Sequence, residues 1–308
     1  MSQNFHGIVP AVATPFDERF AIDKTTLQEL IEWYLASGVH GISVCGSQGE
    51  FFSLNHDEQI SIIETAVRTV DGRVPIYAGT GAVTTQESVQ LTKAAEKIGA
   101  DISLIITPYF LSPSADELVM HYKEITKSTK LPVMIYNNPP RTGVNVTPTI
   151  YQRCLEDANV VGIKDSSGDI TQICEYIETG ARKKLLFAGR DTVILSTVLH
   201  GGSGAISPAA NVFPDLVVRL YNAIRDNNIE EAGRLHDILL PLRKAWALGS
   251  FPVVIKEAMS LVGRSAGPTR PPIQSLGPDA KTKLSKVITT IQAADEATQD
   301  NMQHKGKP

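Results

Sequence analysis

The sequence predicts an α/β protein in which a closed (β/α)8 TIM barrel at residues 1–227 is followed by a C-terminal helical appendage. Two observations predict this fold class. Short apolar runs recur along residues 1–227, and each is apolar at consecutive positions, which is typical of parallel strands buried on both faces. Amphipathic stretches separate the runs, and about eight strand-then-helix units fit into this segment, the number that closes a barrel.

The predicted strands are short and rich in Val and Ile. They are expected at residues 7–13, 41–45, 74–78, 102–106, 132–136, 160–163, 185–188 and 204–206. In residues 27–35, apolar side chains at positions i, i+3, i+4, i+7 and i+8 form one stripe that would pack on a sheet. Similar spacing predicts helices near residues 57–70, 85–98, 115–128, 169–179 and 192–199. Three of these have N-cap candidates: Asp57, Thr84 or Thr85, and Ser112 or Ser114.

An open doubly wound sheet is the alternative architecture for such a strand-and-helix pattern. Its dinucleotide-binding fingerprint needs a third glycine shortly after Gly79 and Gly81, and residues 82–84 contain none. The closed barrel is therefore the favoured prediction.

The pattern changes after residue 227. Residues 229–248, 252–262 and 278–294 predict three helices, which are separated by Gly249 and by a turn-rich segment at residues 263–272. Together they predict a C-terminal three-helix domain at residues 228–295. Residues 296–308 are polar and aperiodic, and they predict a disordered tail.

Composition excludes several classes of protein. The 29 lysines and arginines against 33 aspartates and glutamates give a net charge of −4, which argues against a nucleic-acid partner. Cys45, Cys154 and Cys174 form no disulfide or zinc pattern, and the histidines lack metal-ligand spacing. No signal peptide or membrane-spanning stretch is recognisable. We therefore expect a soluble cytoplasmic protein without a metal.

The active site of a (β/α)8 barrel lies at the C-terminal ends of its strands, so polar residues that close the apolar runs are the candidates. Lys164 closes the sixth run. Burial there would lower the pKa of the lysine, and a free amine can attack a keto group to form an imine, the first step of a class I aldolase. The alternative is a lysine whose end simply reaches water.

Three further positions accompany this lysine. Ser47 lies in the turn of residues 46–49, whose amides begin a helix and would cradle a carboxylate, unless the turn is an ordinary strand–helix loop. Tyr136 closes the fifth run and could shuttle protons at an imine, unless it is only a packed aromatic. Arg141 could hold a second carboxylate, unless it is a solvated surface arginine. Glu50 and Asp165 are expected to anchor loops.

Together these motifs resemble those of the dihydrodipicolinate synthase / N-acetylneuraminate lyase family of Schiff-base barrels. The resemblance extends from about residue 7 to residue 262. It rests on the segments 46–50 (GSQGE), 54–58 (LNHDE), 78–82 (AGTGA), 107–109 (TPY), 136–143 (YNNPPRTG) and 162–166 (GIKDS). It implies a barrel with a C-terminal helical domain, commonly a homotetramer, that uses no metal and no organic cofactor.

The resemblance also implies roles for single residues. Lys164 would form the imine with the keto carbon of pyruvate or another 2-keto acid. Tyr136 would be the general acid/base, with Ser47 as its relay. The substrate-binding positions implied by the family are Gly46, Gln48, Arg141, Gly189, Ile206 and Tyr109.

Within the family, the Asn-Pro-x-Arg arrangement around Arg141 resembles the dihydrodipicolinate synthase branch, in which this arginine receives the carboxylate of aspartate semialdehyde. Three features depart from that branch. Synthases usually carry threonines in place of Ser47 and Gln48, and a second, proton-relaying tyrosine in place of Phe110. The segment 49–54 (GEFFSL) resembles the deoxyglucarate dehydratase branch.

The leading hypothesis is a lyase that condenses pyruvate with an aldehyde, with aspartate semialdehyde as the expected aldehyde and 4-hydroxy-tetrahydrodipicolinate as the product. The alternative within this class is a 2-keto-3-deoxy sugar acid aldolase or dehydratase that uses the same lysine imine. A more remote alternative is a non-catalytic barrel that binds a small anion. The glycines at residues 201–204 also suggest a phosphate-binding barrel enzyme.

Overall fold

Eight parallel strands form one sheet in the computed structural model, which describes residues 5–180 and 182–305, with side chains up to residue 298. The strands follow the spatial order β1-β8-β7-β6-β5-β4-β3-β2. An isolated parallel bridge between Ala11 and Ser43 joins the end of β1 to β2, and the Val12 N–H donates to the Ser43 carbonyl at 2.9 Å. The sheet therefore closes on itself, which confirms the predicted barrel and excludes the open doubly wound sheet.

The strand bounds lie within one or a few residues of the predicted runs. They are β1 Gly7–Pro10, β2 Ile42–Val44, β3 Ile76–Gly79, β4 Ile102–Ile106, β5 Val133–Asn137, β6 Val160–Asp165, β7 Leu185–Ala188 and β8 Gly204–Ser207.

The helices fall into those of the barrel and those of the appendage. The barrel helices are α1 Lys24–Ala36, α2 His56–Val70, α3 Thr85–Ile98, α4 Ala115–Lys127, α5 Pro139–Thr142, α6 Pro148–Cys154, α7 Ile170–Thr179, α8 Ile194–Leu199 and α9 Pro214–Arg225. The appendage contains α10 Ile229–Ala245, α11 Val253–Leu261 and α12 Pro278–Lys305. No helix among the described residues is both long and apolar enough to cross a lipid bilayer.

Both faces of the sheet are buried because its strands alternate between two apolar layers. One layer packs between the sheet and the helices, with strand residues such as Ile8, Ile105, Ile135 and Ile163. The other fills the inside of the barrel, with Val9, Tyr77, Leu104, Met134, Phe187 and Ile206. This inner layer forms a packed floor beneath the C-terminal ends of the strands.

The helix starts follow the capping rules, with one correction. Thr84 caps α3 and Ser114 caps α4, as predicted. The cap of α2 is Asn55 rather than Asp57, because the Asn55 side chain accepts from the Glu58 N–H while the Glu58 carboxylate accepts from the Asn55 N–H. Asp57 instead lies in the first turn, where its charge favours the helix dipole.

The C-terminal end of the chain differs from the sequence-based expectation. Helix α12 continues to Lys305, across most of the segment 296–308 for which we predict a disordered tail. Residues 295–305 contain no glycine or proline and are rich in helix-forming types, so nothing in them stops the helix before Gly306. Residues 306–308 lie outside the described residues. A domain boundary at residue 228 stays a prediction, since α10 packs on α9 as well as on α12.

Candidate active site

Lys164 and Tyr136 lie side by side at the C-terminal ends of β6 and β5. The two strands pair in parallel with Tyr136 opposite Lys164. Lys164 is only 4% exposed, and its Nζ lies 4.1 Å from the centroid of the Tyr136 ring. Both residues line a cavity of about 120 Å³ at this end of the barrel. The lysine is therefore held inside the barrel mouth rather than extended into water.

The surroundings of Lys164 favour its neutral amine. Burial lowers the pKa of Lys164, and this effect outweighs the attraction of the Tyr136 phenol and of the Asp191 carboxylate. Asp191 is itself buried, which raises its pKa. Its carboxylate accepts hydrogen bonds from Ser207 Oγ at 2.6 Å and from the Ala209 N–H at 3.3 Å. The site thus holds a nucleophilic amine that is easier to deprotonate than an ordinary lysine.

The Tyr136 hydroxyl is surrounded by polar groups. It accepts a hydrogen bond from Asn138 Nδ2 at 2.9 Å and lies 3.3 Å from Ser47 Oγ. Burial alone would raise the pKa of Tyr136, but the Lys164 charge and these hydrogen bonds outweigh burial, so the pKa is lowered. A phenol with a lowered pKa exchanges protons more readily near neutral pH.

The turn after β2 presents Ser47 and Gln48 to the same cavity. The turn is fixed from both sides, since Thr14 Oγ1 donates to the Gly49 carbonyl at 2.6 Å and Gln48 Nε2 donates to the Pro252 carbonyl at 3.4 Å. The buried Gln48 Oε1 has no hydrogen-bond partner among the described residues. The turn thus brings a hydroxyl group and an amide side chain to the cavity wall next to Lys164.

Glu50, at the end of this turn, has the anchoring role that the sequence predicts. Its backbone is left-handed (φ 56°), and its fully buried carboxylate lies 2.7 Å from Lys256 Nζ of α11. The other carboxylate oxygen accepts from the Arg270 N–H at 3.1 Å. The Asp165 carboxylate also makes a structural contact, because it accepts a hydrogen bond from Asn137 Nδ2 at 2.8 Å.

The outer wall of the cavity is built from two parts of the chain. Arg141 on α5 lies with its guanidinium 4.4 Å from the centroid of the Phe251 ring, which follows α10. Arg243 on α10 lies 3.9 Å from the centroid of Trp246. These four residues and Arg190, at the end of β7, all line the cavity. Arg141 therefore lines the same cavity as Lys164, and its substrate-binding role stays a prediction.

Sequence reasoning missed Arg190, Arg243, Trp246 and Phe251. Arg190 lies two residues after the last residue of β7, so a search for polar residues just beyond every strand end would have found it. The other three lie after the barrel, where no strand-end rule applies. Only the packing of the appendage on the barrel brings them to the cavity.

The remaining predicted positions divide into two groups. Gly189 lines the cavity, and a Cβ there would lie 2.0 Å from Ser166 Oγ and 3.1 Å from Lys164 Cε. Ile206 is fully buried in the inner layer beneath the site. Tyr109 packs edge-on against Phe51, with ring centroids 5.6 Å apart. Ile206, Tyr109 and Gly46 are not among the described residues that line the cavity.

The glycines at residues 201–204 lie at the opposite end of the barrel. Gly204 is the first residue of β8, whereas the cavity lies beyond the last residues of the strands. A Cβ at Gly204 would lie 2.0 Å from the Gly7 carbonyl oxygen, so this glycine is needed where β1 and β8 pack closely. Residues 201–204 therefore do not belong to the site around Lys164. Among the side chains that the structure describes, which end at residue 298, no three His, Cys, Asp or Glu residues are grouped as metal ligands.

The sequence matches a family of known proteins along most of its length. The model of the dihydrodipicolinate synthetase family matches residues 4–291. A 4-hydroxy-tetrahydrodipicolinate synthase of Methanoculleus marisnigri is 42% identical over 92% of this chain and 98% of its own. The protein of the same name from Thermodesulfovibrio yellowstonii is 39% identical over 92% of this chain and 97% of its own.

Solved structures show the same fold. A prophage protein of the dihydrodipicolinic acid synthase family from Escherichia coli, solved in complex with pyruvate, superimposes with a TM-score of 0.90 at 34% identity and covers 94% of this chain and 99% of its own. Dihydrodipicolinate synthase from Aquifex aeolicus superimposes with a TM-score of 0.90 at 31% identity, covering 94% of this chain and 98% of its own.

Proposed function

The chain belongs to the dihydrodipicolinate synthetase family, and we propose that it condenses pyruvate with aspartate semialdehyde to 4-hydroxy-tetrahydrodipicolinate through an imine on Lys164. The observation that carries this proposal is the buried Lys164 amine beside the Tyr136 phenol at the mouth of the barrel. The two sequence relatives named above carry the name 4-hydroxy-tetrahydrodipicolinate synthase, so we do not propose the sugar-acid aldolase or dehydratase.

The first step is imine formation. The neutral amine of Lys164 attacks C2 of pyruvate, and the carbonyl oxygen leaves as water after taking up protons. Tyr136 supplies these protons, and Ser47, 3.3 Å from its hydroxyl, passes them on. The pyruvate carboxylate is held by the turn that carries Ser47 and Gln48, where a hydroxyl and backbone amides can donate to it.

Carbon–carbon bond formation follows. Loss of a proton from C3 converts the imine into an enamine, whose C3 attacks the aldehyde carbon of the second substrate. The aldehyde oxygen takes a proton and becomes a hydroxyl group, while Arg141 holds the carboxylate of that substrate. The amine of the semialdehyde then displaces Lys164 from C2, which closes the ring and frees the lysine.

The proton path to solvent differs from that of a synthase with two adjacent tyrosines. Phe110 is 95% exposed and has no ionisable group, and Tyr109 packs on Phe51 outside the cavity. We propose that water in the cavity mouth exchanges protons with Tyr136 directly.

Borohydride trapping tests the imine. The protein is incubated with pyruvate and reduced, and the modified peptide is located by mass spectrometry. We expect one reduced pyruvyl group on the peptide that contains Lys164 and none on the peptide that contains the second buried lysine, Lys256. The Lys164→Met variant should give no adduct. If no keto acid gives an adduct on the wild-type protein, the proposal is wrong and a non-catalytic anion-binding barrel becomes the better explanation.

A second assay tests the aldehyde. Pyruvate consumption is followed with and without aspartate semialdehyde in wild type and in Arg141→Met. We expect the variant to keep the pyruvate adduct but to have a higher KM for the semialdehyde, because the arginine touches only the second substrate. An unchanged KM would contradict the role proposed for Arg141.

We propose further that the protein works as a homotetramer in the cytoplasm. Support for assembly comes from the apolar side chains exposed near the barrel mouth, Phe52, Phe110 and Leu111, which a neighbouring subunit would cover. Light scattering on the purified protein measures the subunit count directly. A monomer at working concentration would contradict the tetramer.

A further inference from the structure

Three arginines from separate parts of the chain converge on the mouth of the cavity. Arg141 comes from α5, Arg190 from the end of β7 and Arg243 from α10. Arg141 and Arg243 also line a neighbouring cavity of about 350 Å³, whose other walls belong to the appendage. Both guanidinium groups therefore stand at the entrance through which the second substrate must pass.

Two of these arginines have no acceptor of their own. Arg190 Nε donates to the Ser166 carbonyl at 2.8 Å. For Arg141 and Arg243, no hydrogen bond or ion pair with another described residue is formed by the guanidinium group. Each lies instead on an aromatic ring, Phe251 for Arg141 and Trp246 for Arg243. A ring supports the face of a guanidinium and leaves its N–H groups free to donate.

The charge balance at the entrance is positive. The pKa of Arg243 is lowered by burial and by the like charges of Arg190 and Arg141, against the opposing effect of Asp191. The Asp191 carboxylate is itself occupied by hydrogen bonds from Ser207 and Ala209. Arginine stays charged despite such neighbours, so an anion that binds between these guanidinium groups would relieve their mutual repulsion.

The charge of aspartate semialdehyde matches this entrance only in part. Its carboxylate is attracted by the guanidinium groups, but the ammonium group on the adjacent carbon is repelled by all three of them. An aldehyde with the same carboxylate but no ammonium group is attracted by the guanidinium groups and is not repelled by them. The pyruvate carboxylate does not compete, because it lies on the Ser47 side of Lys164.

We propose that Arg243 and Arg141 form a distal anion subsite, and that the enzyme therefore accepts carboxylated aldehydes without an amine as further electrophiles. This inference rests on the proposed imine at Lys164. It adds a second class of substrate to the proposed function. It also assigns the selection of that substrate to Arg243, a residue of the appendage.

The reaction with such an aldehyde needs no further reactant. C3 of the enamine forms a bond to the aldehyde carbon, and the electron pair of the broken C=O π bond moves to oxygen, which takes a proton from Tyr136. Water released during imine formation is consumed again when the new imine is hydrolysed and Lys164 is freed. The product is a linear 4-hydroxy-2-keto acid, because no amine is present to close a ring.

Two aldehydes with the same four-carbon chain test the subsite. Succinate semialdehyde ends in a carboxylate and butanal ends in a methyl group. We measure kcat/KM for each with saturating pyruvate and quantify the 4-hydroxy-2-keto acid by mass spectrometry. We expect wild type to prefer succinate semialdehyde about 10- to 100-fold, the range that charge-assisted hydrogen bonds provide.

Variants assign that preference to Arg243. In Arg243→Met the preference should fall toward the value given by Arg141 alone, and Arg243→Lys should restore part of it. Arg68→Met is the matched control, since Arg68 is an exposed arginine on α2, away from the cavity. Its preference should equal that of wild type.

A measurement on wild type alone guards against a variant that fails to fold. Because Arg243 is partly exposed, the preference should shrink as sodium chloride is raised. Trapping of pyruvate on Lys164 is measured in every preparation, so loss of the adduct identifies failure of the imine mechanism rather than of the subsite. If the adduct forms but wild type shows no preference, or if Arg243→Met keeps the full preference, the subsite is disproved.

Discussion

Tyr136 and Lys164 occupy paired positions on the neighbouring strands β5 and β6, with Nζ of the lysine 4.1 Å from the centre of the tyrosine ring. Backbone hydrogen bonds between the strands set this separation, and no loop conformation enters into it. A site built on regular strands keeps its geometry more strictly than a site built on loops. Regular secondary structure therefore holds the Lys164 amine and the Tyr136 ring side by side.

Replacing Tyr136 with phenylalanine removes the proton donor and leaves the ring beside Lys164. We expect kcat to fall about 10²- to 10⁴-fold, the usual contribution of general acid–base catalysis, while the borohydride adduct still forms. Tyr151→Phe is the control, because Tyr151 is buried in the outer layer on α6. Steady-state assays of both variants measure kcat. An unchanged kcat in Tyr136→Phe would contradict the proposed role of Tyr136 as the general acid/base.

The rate of imine formation should depend on pH through Lys164. Only the neutral amine attacks, so the trapping rate rises with pH and levels off above the pKa of the lysine. That pKa is lowered from 10.5 by burial, so the midpoint of the rise should lie below pH 10.5. Tyr136 raises the pKa of Lys164, and Tyr136→Phe should therefore shift the curve to lower pH. Quenched-flow trapping across pH measures both curves, and a shift to higher pH would contradict this electrostatic coupling.

The buried pair of Glu50 and Lys256 links the turn after β2 to the appendage. Glu50→Gln leaves the Lys256 ammonium buried without its carboxylate, and we expect the free energy of unfolding to fall by about 3–5 kcal/mol. The double variant Glu50→Gln/Lys256→Met should recover part of this loss, because the unpaired charge is gone. Urea denaturation of the three proteins gives these values. Equal stability of the single variant and wild type would show that the pair is dispensable.

Gly189 is required by the packing around Lys164. A Cβ there would lie 2.9 Å from the Asp165 carbonyl oxygen as well as close to Ser166 and Lys164, and the backbone carbonyl cannot move aside cheaply. We expect Gly189→Ala to cost about 1–3 kcal/mol and to slow pyruvate trapping. Gly233→Ala is the matched control, because that glycine lies in α10 with open space at its Cβ position, and alanine should stabilise the helix by up to about 1 kcal/mol. If the Gly189→Ala variant is as stable and as reactive as wild type, the backbone at Asp165 moves aside without cost and the prediction is wrong.

The sequence predicts the barrel correctly and singles out Lys164 and Tyr136 for a physical reason. The structure places these two residues side by side, and their catalytic roles stay predictions. Strands buried on both faces are apolar at consecutive positions, so the few polar residues at their ends stand out, and Lys164 and Tyr136 are of this kind. The turn of Ser47 and Gln48 is recognised in the same way, from its glycines. These signals are local, and each can be read within a single strand–helix unit.

What the sequence could not predict depends on contacts between distant segments. Arg243 and Trp246 look like ordinary residues at the end of an amphipathic helix, and only the docking of α10 brings them to the cavity. Ile206 follows the family pattern but lies one layer below the site. The prediction of Asp57 as the α2 cap is wrong for a different reason. Asn55 and Asp57 are both good capping residues, and the reciprocal hydrogen bonds between Asn55 and Glu58 decide between them.

The two-part construction of the cavity wall has a consequence for how such enzymes diversify. Lys164 and Tyr136 are buried at the ends of packed strands, where a change of side-chain size is costly to accommodate. The segment 243–251 touches the cavity with half-buried or exposed side chains, whose replacement costs little folding energy. Mutations confined to this segment can therefore change which aldehyde reacts while the chemical step at Lys164 stays the same. A small library randomised in this segment is an economical route to new carbon–carbon bond-forming catalysts.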